Sequence, residues 1–157
     1  MSEVQARQER DALILDLPAA HSAGRMARQM VRQYAEAEGL PSEELQNLEF
    51  VAGELLDNGV DHGGGGGARE VADLPGDIRL LAELRIESGR WCFVVTDQGG
   101  GDPEELRALI DPPDGLPDLE DERGRGFFLL AQMVDELTVE ASDGGGGLAI
   151  GASKSFG

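Results

Sequence analysis

The sequence predicts an α/β two-layer sandwich, with helices on one face of a mixed, largely antiparallel sheet. Two neighbouring segments, 22–38 and 42–62, carry apolar residues at helical spacing. Two β-rich runs, 78–86 and 91–96, are joined by a short turn that contains Ser and Gly, which is typical of a hairpin. A helix pair and an antiparallel hairpin within one chain favour a sheet that is covered by helices.

Length and charge limit the class of protein. The 157 residues are enough for one domain with a hydrophobic core. Acidic residues outnumber basic ones by 31 to 13, and the formal charge of -18 argues against nucleic acid or an anionic membrane as partner and favours a basic protein. Cys92 is the only cysteine, which excludes an internal disulfide. The opening residues lack the apolar region of a signal peptide and no stretch has the length of a membrane span, so we expect a cytoplasmic protein.

The first part of the chain predicts a leader, a strand and a helix. Residues 1–11 are polar and are predicted to be a flexible leader before a single domain over 12–157. An apolar run at 12–17 predicts a strand. Gly39 and Pro41 end the helix that follows. The apolar stripe of that helix consists of Ala23, Met26, Ala27, Met30, Val31 and Tyr34.

The second helix carries the first candidate site residues. Ser42 is its predicted N-cap, and the helix runs into the glycines at 63–67, which read as a flexible connector. Its apolar side is formed by Leu45, Leu48, Val51, Ala52, Leu55 and Leu56. On the other side Glu54 and Asn58 stand four residues apart, with Asp61 one turn further on.

Glu54 and Asn58 suit phosphate chemistry. An Asn oxygen can ligate Mg²⁺ without adding negative charge beside a triphosphate, and a neighbouring Glu can polarise a water or a hydroxyl. Taken alone, such a pair is also found on ordinary helix surfaces. The motifs further along the chain decide between the two interpretations.

Those motifs follow the run 91–96, which is apolar at nearly every position and predicts a strand covered on both faces. Asp97 follows this run directly and begins a glycine-rich turn. Asp102 and Pro103 then predict the start of a short helix. Residues 102–123 contain many prolines and acids and predict a mobile lid over a nucleotide. An apolar helix and a final hairpin around glycines follow.

Each motif has a physical role in a nucleotide site. The Asp97 carboxylate can accept a hydrogen bond from the amine of adenine, and Gly99 and Gly101 let the flat base approach the backbone. Gly124 and Gly126 open a helix whose free N–H groups would face phosphate oxygens. Together and in this order, with the carboxylate and amide pair upstream, these motifs indicate a nucleotide-binding protein.

Three charged residues near these motifs have two interpretations each. Arg123 and Arg125 flank Gly124 and either reach phosphates or are solvated charges. His62 lies at the end of the second helix, where stabilising the helix dipole is favoured over catalysis.

The helix that ends in GELLDNGVDHG, the VVTDQGGG turn and the segment RGRGFFLLAQMVDEL resemble the GHKL superfamily of histidine kinase-like ATPases. Within it, the chain is most similar, over about residues 12–153, to the stand-alone serine/threonine kinases that act as bacterial anti-sigma factors. The resemblance implies a Bergerat-type fold, ATP and Mg²⁺ as cofactors, Asn58 as metal ligand, Glu54 as catalytic base and Asp97 as the adenine-binding residue. It also implies that four glycines shape the pocket: Gly99, Gly101, Gly124 and Gly126.

The function that the resemblance implies is phosphoryl transfer to an anti-anti-sigma-type protein, together with binding of a sigma factor by a homodimer. The final hairpin departs from the family, because residues 144–149 lack the usual Thr. This departure favours a first alternative, a non-catalytic module that senses ATP. A detached histidine-kinase catalytic domain ranks last, because it needs a phosphoacceptor histidine on a dimerisation hairpin and only His21 and His62 are candidates.

Overall fold

The computed structural model describes residues 4–64, 66–99, 102–111, 120–141 and 147–156. The helices are α1 (His21–Ala37), α2 (Ser42–His62), α3 (Pro103–Ile110) and α4 (Glu122–Met133). The strands are β1 (Gln5–Glu9), β2 (Ala12–Pro18), β3 (Arg79–Glu87), β4 (Arg90–Thr96), β5 (Glu136–Ala141) and β6 (Leu148–Ser155). The helices cover one face of the sheet, so the predicted two-layer α/β sandwich is confirmed.

The sheet has the strand order β1-β2-β3-β4-β6-β5. All pairings among the described residues are antiparallel, so the prediction of a mixed sheet is wrong in this respect. The physical reason is the position of β6. Because β5 and β4 are both antiparallel to β6, they run in the same direction, but β6 lies between them and separates them.

The first residues correct the predicted leader. Residues 5–9 form β1, whose residue Gln5 pairs with Asp16 of β2. All residues of β1 are exposed. Because this edge strand has no side that faces the core, its sequence lacks the alternation of apolar and polar residues that would have predicted a strand. The prediction of a flexible leader over 1–11 is therefore wrong for 5–9, and residues 1–3 lie outside the described part of the chain.

The core lies between the helices and the sheet. Trp91 and Phe93 of β4 are fully buried there. The Trp91 indole N–H donates to Glu44 (3.2 Å), which also accepts from Lys154 (2.8 Å). Glu44, in the first turn of α2, is therefore a buried acceptor that connects this helix to two strands.

The hairpin of β3 and β4 is confirmed, with Ser88 (φ 54°) and Gly89 (φ 73°) in the left-handed region that tight hairpin turns need. The prediction that both faces of β4 are covered is wrong. Helices lie on one face only, so alternate residues stay partly exposed: Cys92, Val94 and Thr96.

Local signals misplaced some helix features. Ser42 is the first residue of α2, and no side chain caps that helix, so the predicted Ser cap is wrong. Met26 of the predicted α1 stripe is exposed, because small residues such as Ala27 form the buried face of α1 against α2. A short 3-10 turn at Val71–Asp73 lies between α2 and β3. None of the helices in the described ranges combines the length and apolarity that crossing a bilayer requires.

Candidate functional site

A cavity of about 480 Å³ lies between α2 and the start of α4. From α2 it is lined by Glu54, Asn58 and His62, and from α4 by Arg123, Gly126 and Phe127, among others. Helical periodicity places Glu54 and Asn58 on one face, and their location in the same cavity follows from it. The structure thus brings together several of the residues that the sequence singled out.

Asn58 makes one contact and lacks another. Its Oδ1 accepts a 2.8 Å hydrogen bond from Arg123 Nε, and its Nδ2 is buried without a partner among the described residues. The Arg123 guanidinium lies 5.9 Å from the ring centre of Phe127. Burial lowers the pKa of Arg123 below its ordinary value. The Oδ1 atom of Asn58 therefore already accepts from a cationic side chain. Its Nδ2 atom is a hydrogen-bond donor that still lacks an acceptor.

These two atoms fit a nucleotide with Mg²⁺. The Asn58 oxygen is a ligand type that Mg²⁺ accepts, and in such sites most other ligands come from phosphates and water. The unpaired Asn58 Nδ2 suits a phosphate oxygen, because an unsatisfied buried donor is costly. Phosphate and metal together would satisfy both ends of the side chain.

Glu54 is half-buried, and no hydrogen bond or ion pair engages it among the described residues. Burial raises the pKa of its carboxyl above the ordinary value, and the charges of Asp57 and Glu122 raise it further. A carboxylate with a raised pKa is a stronger base, so the environment of Glu54 suits proton transfer. The pKa of His62 shifts in the opposite direction. Burial lowers it most, and the charge of Arg123 lowers it further.

Asp97 is buried at the end of β4 and is held by backbone amides. Its Oδ1 accepts from Gly99 N (3.0 Å) and from Leu148 N in β6 (3.1 Å), and its Oδ2 has no partner among the described residues. A backbone N–H of the final hairpin thus contacts this carboxylate. Residues 142–146 of that hairpin and Gly101 lie outside the described part of the chain.

Asp97 does not line the cavity of Asn58. It lies beyond the end of α2 and borders a separate depression, with Gln98 and Ala149. Gly99 fixes its turn against α2, since a Cβ on Gly99 would lie 2.7 Å from the carbonyl oxygen of Gly63. Asp97 is nevertheless close enough for its charge to raise the pKa of Arg123, against the larger effect of burial.

The start of α4 corrects a prediction. The helix begins at Glu122, and the Asp121 side chain caps it by accepting from Arg123 N (3.0 Å) and Gly124 N (3.4 Å). Gly124 and Gly126 therefore lie inside the helix, and the N–H groups near Gly124 already have an acceptor. The prediction that glycines open this helix is wrong, because the Asp-Glu pair before them is a stronger start signal.

Two other site predictions have mixed outcomes. Arg125 is exposed and does not line the cavity. Within the predicted lid over 102–123, Asp102 caps α3 as expected, by accepting from Glu104 N. The Arg107 side chain donates to the carbonyl of Val139, so α3 is fastened to β5, and residues 112–119 lie outside the described ranges.

Sequence reasoning missed the contacts of His21. Its Nδ1 lies 3.2 Å from Asp57 Oδ1 and its Nε2 lies 2.9 Å from Asp61 Oδ1, and both aspartates line the cavity. The spacing of Asp57 and Asp61 along α2 was a signal for a shared face. No local pattern could indicate that a histidine from α1 bridges them.

The fold is a two-layer α/β sandwich with a cavity between two of its helices. A family model described as a histidine kinase-like ATPase domain matches residues 17–152. The chain belongs to the histidine kinase-like ATPase family, and the resemblance identified in the sequence is confirmed.

One solved structure extends the comparison of folds. A chain from the crystal structure of the SiaB-SiaC complex from Pseudomonas aeruginosa is similar with a TM-score of 0.67. The match covers 89% of this chain and 87% of that chain at 16% sequence identity, which supports a shared fold. No curated protein matches the sequence.

Proposed function

We propose that this protein is a cytoplasmic, ATP- and Mg²⁺-dependent serine/threonine kinase of a small regulatory protein of the anti-anti-sigma type. The observation that carries the proposal is that Glu54 and Asn58 line one cavity, opposite Arg123 of α4. Membership of an ATPase family supports ATP as the nucleotide. Positioning and neutralisation of charge supply most of the catalysis in such transfers.

Each site residue has one task in this proposal. Asn58 holds Mg²⁺ through Oδ1 and donates to a phosphate oxygen through Nδ2, while Arg123 turns from Asn58 to the phosphates. When bound, Mg²⁺ neutralises phosphate charge. Asp97 accepts from the adenine amine through its unpartnered Oδ2.

Glu54 acts on the acceptor. Its carboxylate takes the proton of the serine or threonine hydroxyl as that oxygen bonds to the γ-phosphorus and the bond to ADP breaks. The raised pKa of Glu54 supports this role, because the carboxyl binds a proton more readily.

The proposed partners are proteins. The similar solved chain comes from a complex of two proteins, which supports a protein partner here as well. The charge of -18 supports a basic sigma factor as a second partner. A homodimer follows from the resemblance and is part of the proposal.

Two observations favour a second candidate, a module that senses ATP without transfer. The final hairpin lacks the family's Thr, and Asp121 already accepts from the N–H groups at the start of α4. Closure of the lid over 102–123 on nucleotide would then be the output. The detached histidine-kinase catalytic domain has less support, because His21 is bridged to Asp57 and Asp61.

Transfer of radiolabelled phosphate in an extract of the source organism tests the proposal. We expect wild-type protein to label an acceptor, Glu54→Gln to bind ATP but transfer about 10²–10⁴-fold more slowly, and Asn58→Ala to lose Mg²⁺-dependent binding and transfer together. If the wild-type protein binds ATP but transfers no phosphate, the ATP-sensing module would replace the kinase as the proposed function. Equal rates for wild type and Glu54→Gln would remove the role of Glu54 only.

A further inference from the structure

We infer that His21 is a positioning residue of the proposed ATP site: it holds Asp57 and Asp61, so that these two acids neither compete with Asn58 for Mg²⁺ nor turn toward the phosphates. The His21 clamp, as we call it, consists of His21, Asp57 and Asp61. The inference rests on the proposed function, because it concerns how Mg²⁺ and ATP bind in the cavity between α2 and α4.

The first step is the charge of this cavity. Among the described residues its lining includes one arginine, Arg123, and no lysine. Five acids line it: Glu54, Asp57, Asp61, Asp121 and Glu122. An ionised acid close to a phosphate repels it, and the repulsion is stronger in a partly buried site than in bulk water. How these acids are held therefore affects the binding of a triphosphate.

The second step is that one side chain contacts two of these acids. His21 Nδ1 lies 3.2 Å from Asp57 Oδ1, and its Nε2 lies 2.9 Å from Asp61 Oδ1. Ionised carboxylates only accept hydrogen bonds, so the ring satisfies both acids when each of its nitrogens carries a hydrogen. The ring is then positively charged and offsets part of the charge of both acids.

The third step is that the backbone fixes the position of His21. As the first residue of α1 it has an N–H group that the helix does not use, and this group donates to the carbonyl of Ala68 at 2.9 Å. Gly67 N in turn donates to the carbonyl of Val60 in α2 at 3.1 Å. The segment after α2 is thus tied both to the end of α2 and to the start of α1, which holds the His21 ring beside the two aspartates.

The fourth step is what the two acids would do without His21. Asp57 and Asp61 stand one turn apart on one face of α2, and their side chains are 60% and 45% exposed. Two free carboxylates at this spacing offer oxygen ligands to a divalent cation. With His21 in place, no group of three or more His, Cys, Asp or Glu side chains in the described ranges is arranged to hold a metal ion. The clamp thus keeps both acids from competing with Asn58.

Asp57 also acts on the proposed catalytic base. Burial is the largest cause of the raised pKa of Glu54, and the charge of Asp57 is the next. Asp57 is therefore close enough to influence Glu54 electrostatically. Holding Asp57 against His21 fixes this influence as well.

Binding of Mn²⁺ without nucleotide tests the clamp directly, with Mn²⁺ as a paramagnetic substitute for Mg²⁺. The electron paramagnetic resonance signal of free Mn²⁺ measures binding at physiological salt. His21→Ala frees both acids, and we expect it to bind Mn²⁺ about tenfold more tightly than wild type. Adding Asp57→Asn and Asp61→Asn to His21→Ala should remove this gain, because the amides carry no charge. A cation site elsewhere on the acidic surface would not respond to these changes.

ATP affinity should change in the opposite direction. At limiting Mg²⁺ we expect His21→Ala to bind ATP about three- to tenfold more weakly than wild type in calorimetric titration, and the triple variant to regain the loss. A purely structural role of His21 predicts no such recovery, because the two Asn substitutions restore no contact between α1 and α2.

Arg32→Ala is the matched control. It also breaks a contact between α1 and α2, because Arg32 Nη1 donates to Glu49 Oε1 at 2.7 Å, but neither residue lines the cavity. Its affinities for Mn²⁺ and ATP should equal those of wild type. If His21→Ala fails to fold, His21→Gln takes its place, since its amide keeps one donor atom and still frees one of the two acids.

Three results would overturn the inference: equal Mn²⁺ affinity of wild type and the His21 variant, no recovery of ATP binding in the triple variant, or the same changes in Arg32→Ala. Equal ATP affinity of wild type and the His21 variant would also overturn it while leaving the kinase standing. If wild-type protein binds no ATP, the proposed function fails, and Mn²⁺ binding still decides whether His21 restrains the two acids.

Discussion

Arg123 Nε donates a 2.8 Å hydrogen bond to Asn58 Oδ1, so the oxygen proposed to hold Mg²⁺ already contacts a cation from α4. In the proposed complex, Asn58 Oδ1 would hold Mg²⁺ and the Arg123 guanidinium would turn to the phosphate oxygens. The start of α4 would in this way be coupled to the proposed metal site.

Replacing Arg123 should therefore remove the hydrogen bond to Asn58 and lower the stability of the protein. Arg123→Ala leaves both polar atoms of the Asn58 amide without a protein partner, and we expect a loss of about 1–2 kcal/mol in the free energy of unfolding. In an Asn58→Ala background the same change should cost much less. Urea unfolding of the two single variants and the double variant measures this coupling. Equal costs in both backgrounds would contradict it.

The roles of the two carboxylate oxygens of Asp97 can be tested separately. Asp97→Asn keeps one oxygen to accept from Gly99 N and Leu148 N but places an NH₂ where Oδ2 would meet the adenine amine. We expect nearly unchanged thermal stability and an ATP affinity lowered about tenfold or more. Asp97→Ala should lose both stability and affinity. Calorimetric titration that finds equal ATP affinity for wild type and Asp97→Asn would remove the adenine assignment.

Glu54 should make stability depend on pH. Because its pKa is raised in the folded state, its contribution to stability is present below the unfolded pKa and is lost as the pH rises through the folded one. Gln carries no charge at any pH, so Glu54→Gln should melt at a higher temperature than wild type near pH 7 and at about the same temperature near pH 4. Glu36→Gln, at an exposed position of α1, is the control. A difference that is independent of pH would contradict the prediction.

Gly99 should tolerate no side chain. A Cβ there would lie 2.7 Å from the Gly63 carbonyl oxygen and equally close to Gly64 N. Gly99→Ala should therefore cost about 1–3 kcal/mol in unfolding free energy and weaken ATP binding, because the Asp97 turn is displaced. Gly76→Ala is the matched control, since a Cβ at that position meets no atom within 4 Å. Similar losses for the two variants would show that the contact with Gly63 is not the cause.

What the sequence could predict depends on whether a signal is periodic and local. Helical spacing placed Glu54 and Asn58 on one face of α2, and the Ser-Gly turn predicted the hairpin of β3 and β4. Both follow from residues close together in the chain. The start of α4 was missed because two local signals competed, and the cap at Asp121 prevailed over the glycines.

The remaining features depend on contacts between distant residues. His21 reaches Asp57 and Asp61 across the interface of α1 and α2, and no pattern within either helix encodes that contact. The edge strand at 5–9 has no buried side and so gives no alternation. The insertion of β6 between β4 and β5 is likewise a property of the whole sheet rather than of any single strand.

That insertion has a consequence for how the protein is made. The amide of Leu148 holds the carboxylate of Asp97, although the two residues are separated by 51 positions in the sequence. During synthesis on the ribosome, β3 and β4 can pair as soon as they emerge, but the Asp97 carboxylate gains its contact with Leu148 only after β6 has been made. If Asp97 has the proposed role, ATP binding would be postponed until β6 has joined the sheet.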